Sequence, residues 1–303
     1  MSRDATYSRI IEPEEFNRIN TDQHLYIRAS DRVIKKLVAE RNPREVVEFG
    51  CGPARFLRTL EDIEGINLTG VDHDQDYIEF AEIIEVKPTT LLVVGDVETY
   101  RHPRKIDVVV TQGAHHHFSK PPIYLENVVN QLSEGGVYIL SDEFLPEYKS
   151  EDERRVRAVI WYSHIIANAL EKNNIPALAL AFEEVKTLLD ELNTTIDETR
   201  IKTPQQMKLV FASVKEISEK ARAKKIRDAE KLAERFLAKL EKIYNWREND
   251  DQTLNLSRGD YKICERVLLE EIEPYGLEVE RKKSIGPIKS IGAMSVYVLR
   301  RRE

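Results

Sequence analysis

Cysteine is almost missing from this chain of 303 residues: Cys51 and Cys264 are the two it has, too few for a disulfide framework. Long apolar runs are missing as well. No stretch approaches the ~18 residues of a membrane-spanning helix, and Met1–Ile10 lacks the charged-then-apolar order of an export leader. Positive charge is not in excess, since 46 Lys and Arg stand against 53 Asp and Glu, for a formal net charge of −7. A nucleic-acid binder usually carries a basic surplus. The expectation is therefore no nucleic acid, no membrane and a cytoplasmic setting. Lys224-Lys225 and Arg300-Arg301-Arg302 read as solvated charge. What is present, 41% hydrophobic and 33% charged residues, describes a globular protein with much helical surface and enough length to bury a substantial core.

From Pro43 to Glu143 short apolar runs alternate with helical patterns, the mark of a parallel sheet wound with helices. Val46–Phe49, Leu68–Val71, Leu91–Val94, Ile106–Thr111 and Val137–Ser141 read as five buried strands. Ala54–Leu60, Gln75–Ile84 and Ile123–Leu132 have helical spacing, and Pro13–Glu40 reads as a helix over the mouth of the sheet. Glu151 to about Leu256 then shows no strand candidate. Arg154–Leu170, Leu178–Leu192 and Pro204–Trp246 are its expected helices. The last would be on the order of 60 Å long if unbroken, at about 1.5 Å per residue, so it bends near Lys224 or reaches a partner. Tyr261–Ile272 reads as a helix, and Leu277–Ser284 and Ala293–Arg300 as a closing pair of strands.

The densest signal is Val46-Val47-Glu48-Phe49-Gly50-Cys51-Gly52-Pro53-Ala54-Arg55-Phe56, a buried strand running through a glycine turn into a helix. Glycine suits such a turn because the backbone bends tightly and a ligand can approach without meeting a β-carbon. An acid, Asp72, ends the next strand about twenty residues on, where a ribose diol would be held.

These residues resemble the class I S-adenosylmethionine-dependent methyltransferases. The first motif of that family, an acid followed by Gly-x-Gly-x-Gly, is matched by Glu48, Gly50 and Gly52, with Ala54 in the third glycine's place. The resemblance implies that Glu48 approaches the methionine amino group and that Asp72 binds the ribose hydroxyls. It further implies that Asp96-Val97 meet the adenine; Gly50, Cys51, Gly52, His73 and Gln112 complete the expected cofactor shell. Asp107 and Glu134-Gly135-Gly136-Val137 match later landmarks. A nicotinamide dehydrogenase is the competing dinucleotide reading, but it places its third glycine where Arg55 stands. The implied fold is a doubly wound α/β sheet of seven strands formed by residues 1–146 and 257–303, with a large helical insertion at 147–256 between strands five and six.

Gln112-Gly113-Ala114-His115-His116-His117-Phe118 follows the fourth strand, at the rim where open α/β sheets bind ligands. Many small-molecule methyltransferases of this class have a His-His pair there, matched by His116-His117. Three readings stay open for the run: packing in the turn, a general base near neutral pH, and a metal site shared with Asp142, Glu143 or His164. No metal is assigned. His116, His117 and Glu143 are the candidate catalytic residues. Cys51 reads as packing, Trp161 as core, and Tyr162 and His164 as residues that turn toward the cleft. The implied activity is methyl transfer from S-adenosylmethionine to a small organic acceptor. Transfer or cyclisation of the aminocarboxypropyl arm, and a non-catalytic cofactor-binding interaction protein, are the alternatives. The insertion is expected to act as a lid, or as the contact of a homodimer.

Overall fold

Each of the five apolar runs is a strand, and they lie side by side. The structure, a computed structural model, describes residues 13–18, 25–84, 87, 90–118, 122–151, 153–154, 157, 161, 261–288 and 291–302. Strands β1 (Glu45–Phe49), β2 (Asn67–Asp72), β3 (Thr90–Val94), β4 (Ile106–Gln112), β5 (Leu132–Phe144), β6 (Leu277–Ile288) and β7 (Gly292–Arg301) form one seven-stranded sheet, ordered β3-β2-β1-β4-β5-β7-β6. The pairings among β1 to β5 are parallel, and β7 runs antiparallel between β5 and β6.

The central strands are apolar on both sides because helices cover both faces. These are α1 (Pro13–Arg18), α2 (Leu25–Arg41), α3 (Arg55–Leu60), α4 (Gln75–Ile83), α5 (Tyr124–Gln131) and α6 (Glu265–Ile272). On one face Val47, Phe49, Val109, Tyr138 and Leu140 pack with Tyr124 and Val128 of α5 and Leu268 and Ile272 of α6. On the other, Val46, Val108, Val110 and Ile139 meet Ile34 and Val38 of α2 and Phe56 and Leu57 of α3. Neighbours such as Val46 and Val47 go to opposite layers, as the two-residue period of a strand dictates.

α1 and α2 are the described parts of the helical stretch expected over 13–40. Two elements differ from the sequence expectation. β5 starts at Leu132, not Val137, because the β4–β5 ladder slips between Ile106 and Val108; Gly135, at φ 73°, supplies the backbone that the slip needs. The second difference bears on function. Tyr261–Cys264 is extended, and α6 begins only at Glu265. Its backbone is held by the sheet rim: Tyr261 N–H donates to His116 O at 2.7 Å, and Leu145 N–H donates to Ile263 O at 2.9 Å.

Arg154, Arg157 and Trp161 are helical, as expected for the start of the insertion. The expected helices Leu178–Leu192 and Pro204–Trp246, with Tyr162 and His164, lie outside the described residues. Among the described residues, no helix is long and apolar enough to cross a membrane.

Candidate functional site

The strand order changes direction between β1 and β4, and a crevice forms outside the carboxyl ends of strands at such a point. The glycine turn sits there. Gly50 and Cys51 donate to Val71 O at 2.8 and 3.3 Å, which folds the turn back over β2. Gly50, Gly52 and Ala54 all have left-handed backbones, at φ 70°, 50° and 51°. Ala54 thus adopts a glycine conformation with a methyl group attached. A β-carbon on Gly50 would stand 2.6 Å from that of Ala114 and 3.3 Å from the Phe118 ring. Close packing against the histidine turn therefore demands glycine here, before any ligand is considered.

Two carboxylates face this turn. Asp72, at the end of β2, is buried at 7% exposure. It accepts from Gly52 N–H at 2.7 Å and from Asp74 N–H at 2.9 Å. Burial pushes its carboxyl up, and those two N–H groups pull it back. Glu48 is 2% exposed, and its Oε2 has no hydrogen-bond partner among the described residues. Burial raises its pKa well above the usual carboxylate range, opposed by the nearby Arg55. A buried acceptor left unsatisfied carries the full desolvation cost, so Glu48 is built to receive a donor.

Arg55, which had entered only as the residue that breaks the dehydrogenase pattern, clamps this corner. Its guanidinium grips Asp31 of α2 at 2.6 and 2.8 Å and donates to Gln112 at 2.7 Å. Gln112 in turn donates to Ser30 and Asp31, both at 2.7 Å. The clamp joins α2, the turn and the end of β4. Sequence alone missed Asp31 and Ser30, because polar residues on an amphipathic helix read as solvent-facing.

The remaining residues of the expected shell separate. Val97 is buried in the sheet's core beside Phe49 and Val71, while Asp96 accepts from Glu98 N–H at 2.8 Å within its own turn. The His73 side chain is 60% exposed, with Nδ1 3.5 Å from Asp72. The Cys51 thiol is buried, and room for it comes from Gly70, whose added β-carbon would lie 2.8 Å from the sulfur. Burial raises that thiol well above its ordinary pKa, so it is a packing group and a poor nucleophile.

At the β4–β5 rim the three histidines of a 3-10 turn take different surroundings. His115 is buried, with Nδ1 2.5 Å from Tyr124 Oη and Nε2 3.1 Å from Glu271. The chain continues through Tyr138 to Thr111 at 3.0 and 2.6 Å. His117 is exposed. His116 is buried, and its Nδ1 lies 2.5 Å from Asp142 Oδ1. Asp142 also accepts His116 N–H at 3.0 Å and Glu143 N–H at 2.6 Å. Burial lifts the Asp142 carboxyl to about 6, against the pull of His115 and Lys262.

Glu143 meets a partner that the sequence concealed. Lys262, with a fully buried side chain, places Nζ 2.6 Å from Glu143 Oε2. Its own carbonyl accepts from Arg154, whose guanidinium lies 3.9 Å from the Tyr261 ring centre. Read as part of a helix, Lys262 was one surface cation among many; only the extended segment carries it inward. Among the described residues no group of three or more His, Cys, Asp or Glu could hold a metal ion.

Residues 47–140 match the family model described as "Methyltransferase domain". No curated protein matches the sequence. Human N-acetylserotonin methyltransferase, solved in complex with S-adenosylmethionine, aligns over 100% of this chain and 60% of its own, with 9% identity and a TM-score of 0.50. A TehB-like methyltransferase from Corynebacterium glutamicum aligns over 45% of this chain and 73% of its own, at 22% identity and a TM-score of 0.37. DesVI from Streptomyces venezuelae aligns over 49% and 62%, at 17% identity and a TM-score of 0.37. The present chain thus spans about six-tenths of the length of two of these proteins. With the glycine turn, its two acids and the seven-stranded order on the same polypeptide, residues 47–140 match a methyltransferase domain within a sheet of the class I fold, the type whose cofactor is S-adenosylmethionine.

Proposed function

We propose that the protein methylates a small organic acceptor at the β4–β5 rim, with His116 as the base that removes the acceptor's proton. The observation that carries this is the buried His116–Asp142 pair, 2.5 Å apart, on the turn that packs directly against Gly50.

The cofactor corner fits its ligand by chemistry. Glu48 Oε2, a buried acceptor without a partner among the described residues, suits an ammonium group. A carboxylate offers about four acceptor positions; two on Asp72 are taken by N–H groups, which leaves capacity for a diol. Val97 supplies an apolar surface and Asp96 a polar neighbour for a base ring. When bound, S-adenosylmethionine supplies an electrophilic methyl group, so the protein's own work is alignment, exclusion of water and proton removal.

Proton removal falls to His116. With Nδ1–H donating to Asp142, the basic nitrogen is Nε2, and the ring is fixed in that tautomer. Asp142 stabilises the imidazolium that forms. Tyr261 N–H bonds to His116 O at the same rim. A base as enclosed as His116, which is 4% exposed, supports a small acceptor with a hydroxyl or an acidic carbon rather than a folded macromolecule.

The test is turnover of the purified chain with S-adenosylmethionine and a panel of small hydroxyl and carbon acids. The expected product is S-adenosylhomocysteine; methylthioadenosine in its place would mean aminocarboxypropyl chemistry, and no turnover would favour a binding protein. His116→Ala should lower turnover by about 10²–10⁴-fold with cofactor affinity kept, whereas His117→Ala should change it only a few-fold. Equal, small effects from both would remove His116 from the reaction.

A further inference from the structure

The Lys262–Glu143 pair has no place in the mechanism so far. Burying two charges costs several kcal/mol per ion before their attraction is counted, and an apolar pair of similar volume would often serve stability as well. This pair also occupies a particular position. Glu143 follows Asp142 directly and donates its N–H to that carboxylate. Lys262 follows Tyr261 directly, the residue whose N–H holds the carbonyl of His116. One ion of the pair is thus the chain neighbour of Asp142, and the other is the chain neighbour of the residue that bonds the His116 carbonyl.

We infer that Lys262 is a positioning residue for the base: its ammonium, carried to the rim by the extended segment Tyr261–Cys264, balances Glu143 and so sets the charge against which the His116–Asp142 pair exchanges its proton. This rests on the reading of His116 as the base. Glu143 then acts through the pair, not on the acceptor.

Among the described residues, the charges around the pair come from each element packed against it. His115 and His117 share the turn, Glu143 and Tyr138 share β5, Tyr124 comes from α5, Glu271 from α6, and Lys262 from the return segment. Of the neighbours that act on Asp142, His115 and Lys262 favour its anion, and Glu143 opposes it. Lys262 thus sets its ammonium group against two adjacent acids. Without it, the negative potential of Glu143 would hold protons on both Asp142 and His116, leaving less neutral imidazole to act as base.

The experiment follows the imidazole of His116 by NMR across pH in the full-length protein without cofactor, its signal identified by His116→Gln. Lys262→Met should raise the His116 midpoint by at least about half a pH unit, and Glu143→Gln should lower it by a comparable amount. The double variant should return close to the wild-type midpoint, and Lys262→Arg should keep it. Calorimetric S-adenosylmethionine binding reports that each variant is folded. Midpoints that stay within about 0.2 unit in both single variants would overturn the inference and leave the pair as scaffold. If Lys262→Met does not fold, Glu143→Gln and Lys262→Arg decide by the same criteria. Loss of the base reading would appear separately, as unchanged turnover in His116→Ala with the NMR coupling intact.

Discussion

Gly50 and Gly113 share a left-handed backbone, at φ 70° and 63°, but not their surroundings. Among the described residues a β-carbon at Gly113 meets nothing within 4 Å, whereas at Gly50 it meets Ala114 at 2.6 Å. Gly113→Ala should therefore cost only the backbone strain, about 1–2 kcal/mol. Gly50→Ala adds overpacking of about 1–3 kcal/mol, because the histidine turn must move. Denaturant midpoints of the two variants check this, and equal losses would refute the packing argument. Asp142 differs in kind, since its effect depends on pH. Its ordinary pKa of 3.8 is raised to about 6 on folding. An acid whose pKa rises on folding binds its proton more tightly in the native state. Its contribution to stability thus falls as pH climbs from about 4 to about 6 and is flat above that. Asp142→Asn lacks this penalty. Whatever its offset at pH 4, the variant's stability should gain on the wild type up to about pH 6 and then run parallel. A difference that is constant from pH 4 to 8 would show that the carboxyl does not titrate in this window.

At the scale of elements, the sequence was most legible where one residue pattern settles one structure. Val46–Phe49, apolar but for Glu48, is buried on both faces between β2 and β4, so its pattern and its place agree. Asp72 was legible as an acid ending a strand, but not as buried, because the N–H groups of Gly52 and Asp74 that compensate it depend on how the turn folds back. The extended run Tyr261–Cys264 could not be read. Its residues fit a helix locally, and what overrides them is hydrogen bonding to His116 and Leu145, far away along the chain. The same override hid Lys262, whose acid partner ends β5. The histidine run sits between these cases. Its position at the rim followed from the strand count, while the division into a packed His115, an acid-bound His116 and an exposed His117 required Tyr124, Glu271 and Asp142 in place. Arg55 shows how a negative sign in one pattern becomes a positive one in three dimensions: the side chain that spoils a dehydrogenase turn fastens α2 to this one.

For the whole molecule, the question is where the described flanks of residues 162–260 are anchored. On the outgoing side Trp161 is fully buried, stacks on Tyr26 of α2 at 5.7 Å and crowds Gly292 at the start of β7. On the returning side Tyr261 bonds to His116 and Lys262 to Glu143. Both anchors border the rim where the base lies, and a segment tethered there is favourably placed to respond to ligands. Hydrogen exchange across residues 204–246 should therefore slow when S-adenosylhomocysteine and an acceptor are added, and should not change with protein concentration. A dimer contact makes the opposite prediction, protection that grows with concentration and ignores ligand. The ligand-dependent outcome is expected because the returning anchor is held by His116 and Glu143 of the reaction rim, so occupancy there acts on the bonds that hold that end. Exchange that is equal in every state would detach the insertion from the acceptor site and leave closure of that site to Tyr261–Cys264 alone.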